Sequence, residues 1–389
     1  MEKVKLNELA DIYLGVTHTP EYVFEGVPFL SVKDISGGKI CFDDCKYISK
    51  EEYDSLSEGA KPKVGDMLFC RVGTLGKPII IPEGTPLFGS FVSLGYLRNR
   101  NSDRCDLNYL RYWMYSNSFW KQVNANVKGA SQVNLNTGWL SKFDIDLPGI
   151  AEQRYRISVL DKCKSVIENR EAELAALDDL IKARFVEMFG DPVINNKGWS
   201  ESLIGDDCFV TKLAGFEYTQ YINYDDSGDV VMVKAQNVKN GKLNRKELSF
   251  ISNEVSDSLP RSQLEPGDIV MTSVGANIGD VAVIDDKYKY HLAPNVAKIR
   301  PDSEIYDSTY FMYMLMLLNT YIVKNSADTA KAALGMERIR KLKVFTPPIE
   351  TQRQFADFVK QVDKSKVAVQ KALEETQLLF DSLMQQYFG

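Results

Sequence analysis

The side chains of this sequence best suited to chemistry are hydrogen-bonding groups gathered around two glycine-containing stretches. In Arg71-Val72-Gly73-Thr74-Leu75-Gly76-Lys77, a guanidinium, a hydroxyl and an ammonium surround a turn with two glycines. Lys128-Gly129-Ala130-Ser131-Gln132-Val133-Asn134 places an ammonium, a hydroxyl and two amides within one short segment. Such groups suit recognition. Arginine offers paired donors to guanine, Asn and Gln match adenine with one donor and one acceptor, and Lys neutralises phosphate. An ordinary solvated loop is the plain alternative for the second stretch, and merely exposed strand residues for Arg71 in the first. Val72 to Lys77 resembles a phosphate loop only faintly, because the GxxxxGK[ST] spacing is absent, and it reads as a tight turn between strands.

Catalytic constellations are not found. No GxGxxG follows a strand, and neither a GxSxG elbow nor an Asx-Pro-Pro-aromatic motif occurs. The acidic doublets Asp43-Asp44, Asp178-Asp179, Asp206-Asp207, Asp225-Asp226 and Asp285-Asp286 read as solvated surface. The 2 histidines, His18 and His291, lie far apart, and the 6 cysteines contain no CxxC, so no zinc pattern can be built. The expectation is a non-catalytic chain without metal or cofactor, its thiols reduced in a cytoplasmic setting. MEKVKLNELADIYLG lacks the apolar core of a signal peptide. The longest apolar run, Tyr310 to Leu318 and on to Val323, is interrupted by Asn319 and Thr320. It is too short for a bilayer and reads as a buried helix capped by Asp307 or Ser308. A net charge of −6 argues against a protein coated for nucleic acid. Any nucleic-acid face must therefore come from segregating basic residues.

The elements that position these groups occur twice. Val64-Gly65-Asp66-Met67-Leu68 returns as Pro266-Gly267-Asp268-Ile269-Val270, and Val72-Gly73…Gly76 returns as Val274-Gly275…Gly279. Pro148-Gly149-Ile150-Ala151-Glu152-Gln153-Arg154 returns as Pro347-Pro348-Ile349-Glu350-Thr351-Gln352-Arg353. At 389 residues, 44% hydrophobic and 26% charged, the chain suits two ordinary globular modules. The first part of each copy mixes short β-type runs (Lys77 to Ile81, Asp280 to Ile284) and turn signals with a helix, Leu107 to Val123 or Ser308 to Val323. The matching turns differ: Arg71 aligns with Ser273, and Lys77 with Asp280, beside Asn277. Lys331 to Arg338 occupies the place of Lys128 to Asn134.

Each copy then runs without Gly or Pro to Phe189-Gly190 or Phe388-Gly389. Ala151 to Phe189 predicts a helix of nearly 60 Å at about 1.5 Å per residue, stopped by Gly190 and Pro192. Heptad spacing marks its seam at Leu160, Cys163, Ile167, Leu174, Leu177, Ile181 and Met188, interrupted by Arg170 and Arg184. The second helix, Thr351 to Phe388, places Val359, Val362, Val369, Leu373, Phe380, Leu383 and Tyr387 in the same register, interrupted by Lys366 and Thr376. A single apolar stripe needs a partner, and the other copy is the obvious one. Antiparallel pairing would put the globules at opposite ends. Packing of each helix on its own globule is the alternative.

Two globules, each closed by Pro-x-Ile-x-x-Gln and a long helix ending near Phe-Gly, resemble the specificity subunit of type I restriction-modification systems over nearly the whole chain. Glu152-Gln153 matches the family pattern, whereas Thr351 replaces the glutamate beside Gln352. The resemblance implies an α+β fold: two pseudo-symmetric target recognition globules separated by an antiparallel coiled coil. Residues 1–149 and 191–347 would be recognition domains, and 150–190 and 348–389 the central and C-terminal helices. Each domain would read one half of a bipartite double-stranded DNA site, with the helices setting the spacer. Two methyltransferase subunits and restriction subunits would join, bringing S-adenosylmethionine, ATP and magnesium with them. Expected DNA contacts are Arg71, Thr74, Lys77, Lys128, Ser131, Gln132 and Asn134 in the first copy, and Ser273, Asn277, Lys331 and Arg338 in the second. A scaffold of two ligand- or protein-binding globules on a coiled-coil strut is the competing reading, and the acidic charge favours it. An enzyme with an unrecognised catalytic domain is a third.

Overall fold

A computed structural model describes residues 1–126, 134–326 and 333–389. The chain forms two compact units, Met1–Glu171 with Lys371–Gly389, and Ala172–Gln370. Each contains one globule, the near half of one long helix and the far half of the other.

In the first unit the central sheet runs in the order Ala10–Leu14, Leu94–Asn99, Met67–Cys70, Gly76–Ile80, antiparallel throughout. The second unit repeats it with Cys208–Lys212, Val296–Pro301, Ile269–Thr272 and Val281–Val283. Each central strand is buried along its whole length, as MLFC and IVMT. Alternation of side chains across the sheet explains why. Met67 and Phe69 enter a core shared with the globule's helices and the long helices. Leu68 and Cys70 enter a second core, against Leu30, Ile35 and Phe88. Ile269 and Met271 divide from Val270 in the same way. A smaller sheet covers that second core, with one parallel pairing in each unit, Val27–Leu30 with Gly89–Ser90 and Val230–Val233 with Lys289–Leu292. A two-stranded ribbon, Glu2–Lys5 with Asp144–Leu147 or Glu201–Leu203 with Lys343–Phe345, leads into each long helix.

The long helices run Ile150–Phe189 and Ile349–Phe388, 40 residues each. Within the first unit, Arg156 donates to the Tyr387 carbonyl at 3.0 Å, and the Tyr109 and Phe388 rings lie 4.8 Å apart. Within the second, Phe355 meets Phe185 at 5.4 Å and Phe189 at 5.6 Å. The start of one helix thus meets the end of the other in both units, so the pair is antiparallel. Leu160, Ile181, Val359, Val362 and Val369 are buried, and Ile167, Leu174, Leu177, Leu373, Phe380 and Leu383 half-buried. The two packing alternatives prove to be one arrangement. Leu160 and Phe388, or Ile181 and Phe355, share a core with their globule while packing against the other helix.

The first long helix stops at Gly190 in a left-handed conformation that favours glycine. Its φ is +82°, and a Cβ there would lie 2.1 Å from Asn196 Oδ1. The Trp199 indole and the Lys197 ammonium then donate to the terminal carbonyls of Phe189 and Glu187. One element differs from expectation. Leu107 to Val123 is not one helix but two, Leu107–Tyr115 and Asn117–Asn126. Ser116 turns extended, donates to the Trp113 carbonyl at 2.7 Å and accepts from the Phe119 amide, so a local hydroxyl replaces helix bonds. Its counterpart, Ser308–Ser326, is continuous and capped by Asp307, which accepts from the Thr309 amide at 2.8 Å. Among the described residues no helix is long and apolar enough to cross a membrane. All six cysteines are unbridged, and burial pushes the Cys70 thiol up to about 11.

Candidate nucleic-acid interface

Two buried polar staples hold each globule in the same way. Gln153, fully buried, accepts from the Asp106 amide at 2.9 Å and donates to the Arg104 and Pro148 carbonyls at 2.9 and 2.8 Å. Gln352 repeats this with the Asp307 amide and the Ile305 and Pro347 carbonyls at 2.9, 2.9 and 2.8 Å. The glutamine thus joins the long helix to the cap of the globule's own helix. A donor and two acceptors meet one amide group, which neither Glu nor Leu can supply. The replaced glutamate also finds its reason. Glu152 pairs with Arg156 at 2.8 Å, and the second copy changes both members together, to Thr351 and Phe355.

The Gly-Asp repeat is the second staple. Asp66 accepts from Arg98 at 2.9 and 2.7 Å and from the Lys63 amide at 2.8 Å. Asp268 accepts from Arg300 at 2.5 and 2.8 Å and from the Glu265 amide at 2.8 Å. Forked guanidinium–carboxylate contact fixes the loop that enters the central strand. The carboxylates are buried, and the hydrogen bonds they accept, together with their charge, raise the arginine pKa in both copies. Sequence reading noticed the aspartates and missed Arg98 and Arg300, although these recur at the same interval as the Gly-Asp pairs.

On this framework sits the turn after the central strand. It joins two antiparallel strands and does not lead into a helix, so the strand–loop–helix of a phosphate loop is not formed there. Gly76 and Gly279 both have positive φ and close on the globule's helix. A Cβ there would lie 3.4 Å from Trp120 or 2.7 Å from Asn319 Oδ1. The Arg71 amide donates to the Ser93 carbonyl and the Leu135 amide to the Arg71 carbonyl, both at 2.9 Å. The Ser273 amide likewise donates to the Asn295 carbonyl and the Leu334 amide to the Ser273 carbonyl, both at 2.8 Å. Both folds therefore bring the turn beside the segment around residues 134–135 or 333–334.

What the framework carries there differs. Arg71 is half-buried, and its Nε and Nη1 donate to the Leu135 and Val92 carbonyls at 3.0 and 2.8 Å. Burial lowers its pKa. Ser273 is fully buried and makes no side-chain hydrogen bond. Lys77 is exposed, whereas Asp280 accepts from Asn319 Nδ2 at 3.2 Å and burial raises its pKa. Two cationic positions become one neutral and one acidic. Thr74, Asn134 and Asn277 are exposed, and Arg338 is exposed on the short helix Met336–Arg340. Lys128, Ser131, Gln132 and Lys331 lie outside the described residues.

Comparison with known proteins converges on one family. Residues 196–377 match the type I restriction modification DNA specificity domain. The Escherichia coli type I restriction enzyme EcoBI specificity subunit is 22% identical over 296 residues, 68% of this chain and 62% of that subunit. The alignment thus spans less than two thirds of the E. coli subunit. A putative type I restriction enzyme MjaX specificity subunit of Methanocaldococcus jannaschii is 22% identical over 372 residues, 89% of this chain and 84% of the relative. In fold, the chain resembles the crystal structure of a type I restriction-modification S subunit from M. genitalium, with a TM-score of 0.59 at 14% identity, covering 100% of this chain and 96% of the other. A second solved structure, concerned with complex assembly and conformational transition of the type I system, gives 0.60 at 17%, covering 100% and 97%.

Proposed function

We propose that this chain is a specificity subunit of the type I restriction-modification kind, which reads a bipartite double-stranded DNA target and recruits methyltransferase and restriction subunits. Catalysis, with S-adenosylmethionine, ATP and magnesium, falls to those partners in the cytoplasm. Residues 1–149 and 191–347 act as recognition domains, one per half-site, and 150–190 and 348–389 as the helices that set the spacer. The observation that carries this reading is the pairing of a copied framework with uncopied side chains at the turn. Gln153 and Gln352, and Asp66 and Asp268, make the same bonds. The turn carries Arg71 and Lys77 in one copy and Ser273 and Asp280 in the other. A device that reads two different half-sites needs that division. Thr74, Lys77, Asn134, Asn277 and Arg338 are the described candidates for DNA contact, joined by Lys128, Ser131, Gln132 and Lys331.

The test is binding of split, asymmetric duplexes by the chain assembled with its methyltransferase subunits. Affinity is expected to depend on both half-sites and to fall steeply with salt, because phosphate contacts release counterions. Equal affinity for every duplex would contradict the reading and favour the scaffold. Removing one heptad from both helices shortens each by about 10 Å and is expected to move the preferred spacer by about three base pairs.

A further inference from the structure

The guanidinium of Arg71 is the one group in the first turn whose donors face inward. Nε and Nη1 reach two carbonyls from separate chain segments, Leu135 and Val92, on either side of the strand end. The backbone of Arg71 is bonded to the same two neighbourhoods, through the Ser93 carbonyl and the Leu135 amide. One residue therefore ties together the turn, the Val92–Ser93 stretch and the segment beginning at Asn134. Burial of that side chain, with no carboxylate paired to it among the described residues, disfavours a group held merely for its charge.

The second globule keeps the backbone half of this arrangement and lacks the side-chain half. Ser273 is too short to reach the corresponding carbonyls, and its hydroxyl, like that of Thr272, is buried without a partner. The same three segments meet there, held by main-chain bonds and an isolated bridge between Val274 and Ala333.

We propose that Arg71 is a positioning residue of the first recognition site, which fixes the surface carrying Thr74 and Asn134 and does not itself contact DNA. The proposal rests on the sequence-reading function above. It assigns discrimination at the first half-site to the rigidity of three joined segments. Arginine is required because its planar fork bonds two carbonyls at once, and lysine supplies the charge without the fork.

The experiment compares wild type, Arg71→Ser and Arg71→Lys in the full chain assembled with methyltransferase subunits. Affinity is measured against duplexes altered at each base pair of each half-site, over a range of salt. Both variants are expected to lose discrimination across several base pairs of one half-site, by roughly tenfold or more. The other half-site and the slope of log affinity against log salt stay unchanged. In hydrogen exchange, the Leu135 amide loses protection while the Leu97 amide of the central sheet keeps it. A uniform loss with a salt slope reduced by about one, restored by lysine, makes Arg71 a phosphate contact and overturns the proposal. Loss confined to one base pair makes it a base contact, with the same result. Unchanged discrimination also overturns it, as does loss of protection throughout the sheet, which assigns Arg71 to the core. A wild-type assembly without sequence preference refutes the proposed function instead.

Discussion

The turn after Cys70 and the turn after Thr272 leave equivalent strands and close on equivalent glycines, yet one presents Arg71 and Lys77 and the other Ser273 and Asp280. Beneath them, the glutamine and aspartate staples agree to within a few tenths of an ångström. The difference teaches where constraint lies. Groups whose hydrogen bonds are internal and buried cannot change without leaving donors and acceptors unmatched, so both copies hold them. At the strand end only the main-chain bonds of Arg71 and Ser273 are copied, and the side chains there diverge.

The comparison breaks most sharply at the glutamines. Gln153→Leu is expected to destabilise the first unit by about 4 kcal/mol, since it strands one amide and two carbonyls, and Gln352→Leu to do the same to the second. Hydrogen exchange resolved by unit reads both. A large difference between the copies would show that the staples are not equivalent. Next is the contrast between neighbours on one helix. Ile181 is 0% exposed and Leu180 48%. Ile181→Ala is expected to cost about 3 kcal/mol, and Leu180→Ala no more than about 0.5, in denaturant unfolding. Equal costs would displace the seam. Asp66→Asn and Asp268→Asn each remove the charge that Arg98 or Arg300 grips. A loss of about 2 kcal/mol is expected from either, because the arginines remain partly solvated.

The smallest effect separates the units by pH. His291 is fully buried in the second unit, and burial holds its pKa below the ordinary 6.5. The unfolded chain therefore takes up a proton as pH falls through about 6.5 while the folded unit does not. Stability of the second unit should decline on acidification in that window and gain nothing from this group above it. His291→Phe should flatten the slope in unit-resolved exchange. An unchanged slope in the variant would assign the acid sensitivity elsewhere.

Much of this fold was legible in the sequence because its signals are local or copied. The heptad stripe, the Gly190 stop and the turn between strands each depend on neighbours within a few residues. The aspartate staple was half legible. Asp66 stands out as a copy, but its partner Arg98 is joined to it only by strand pairing. The break at Ser116 was invisible, since a serine within an apolar helical run gives no sign that its hydroxyl will replace helix bonds. The inward commitment of Arg71 was equally hidden. Type and position mark an arginine beside a glycine turn as a contact residue, and only the fold shows the two carbonyls it holds.

The most direct measurement is the methylated motif in a host expressing this chain with its methyltransferase subunits. The account predicts one asymmetric motif of two unlike specified parts separated by a fixed unspecified spacer. A single continuous motif, or two identical half-sites, would contradict it.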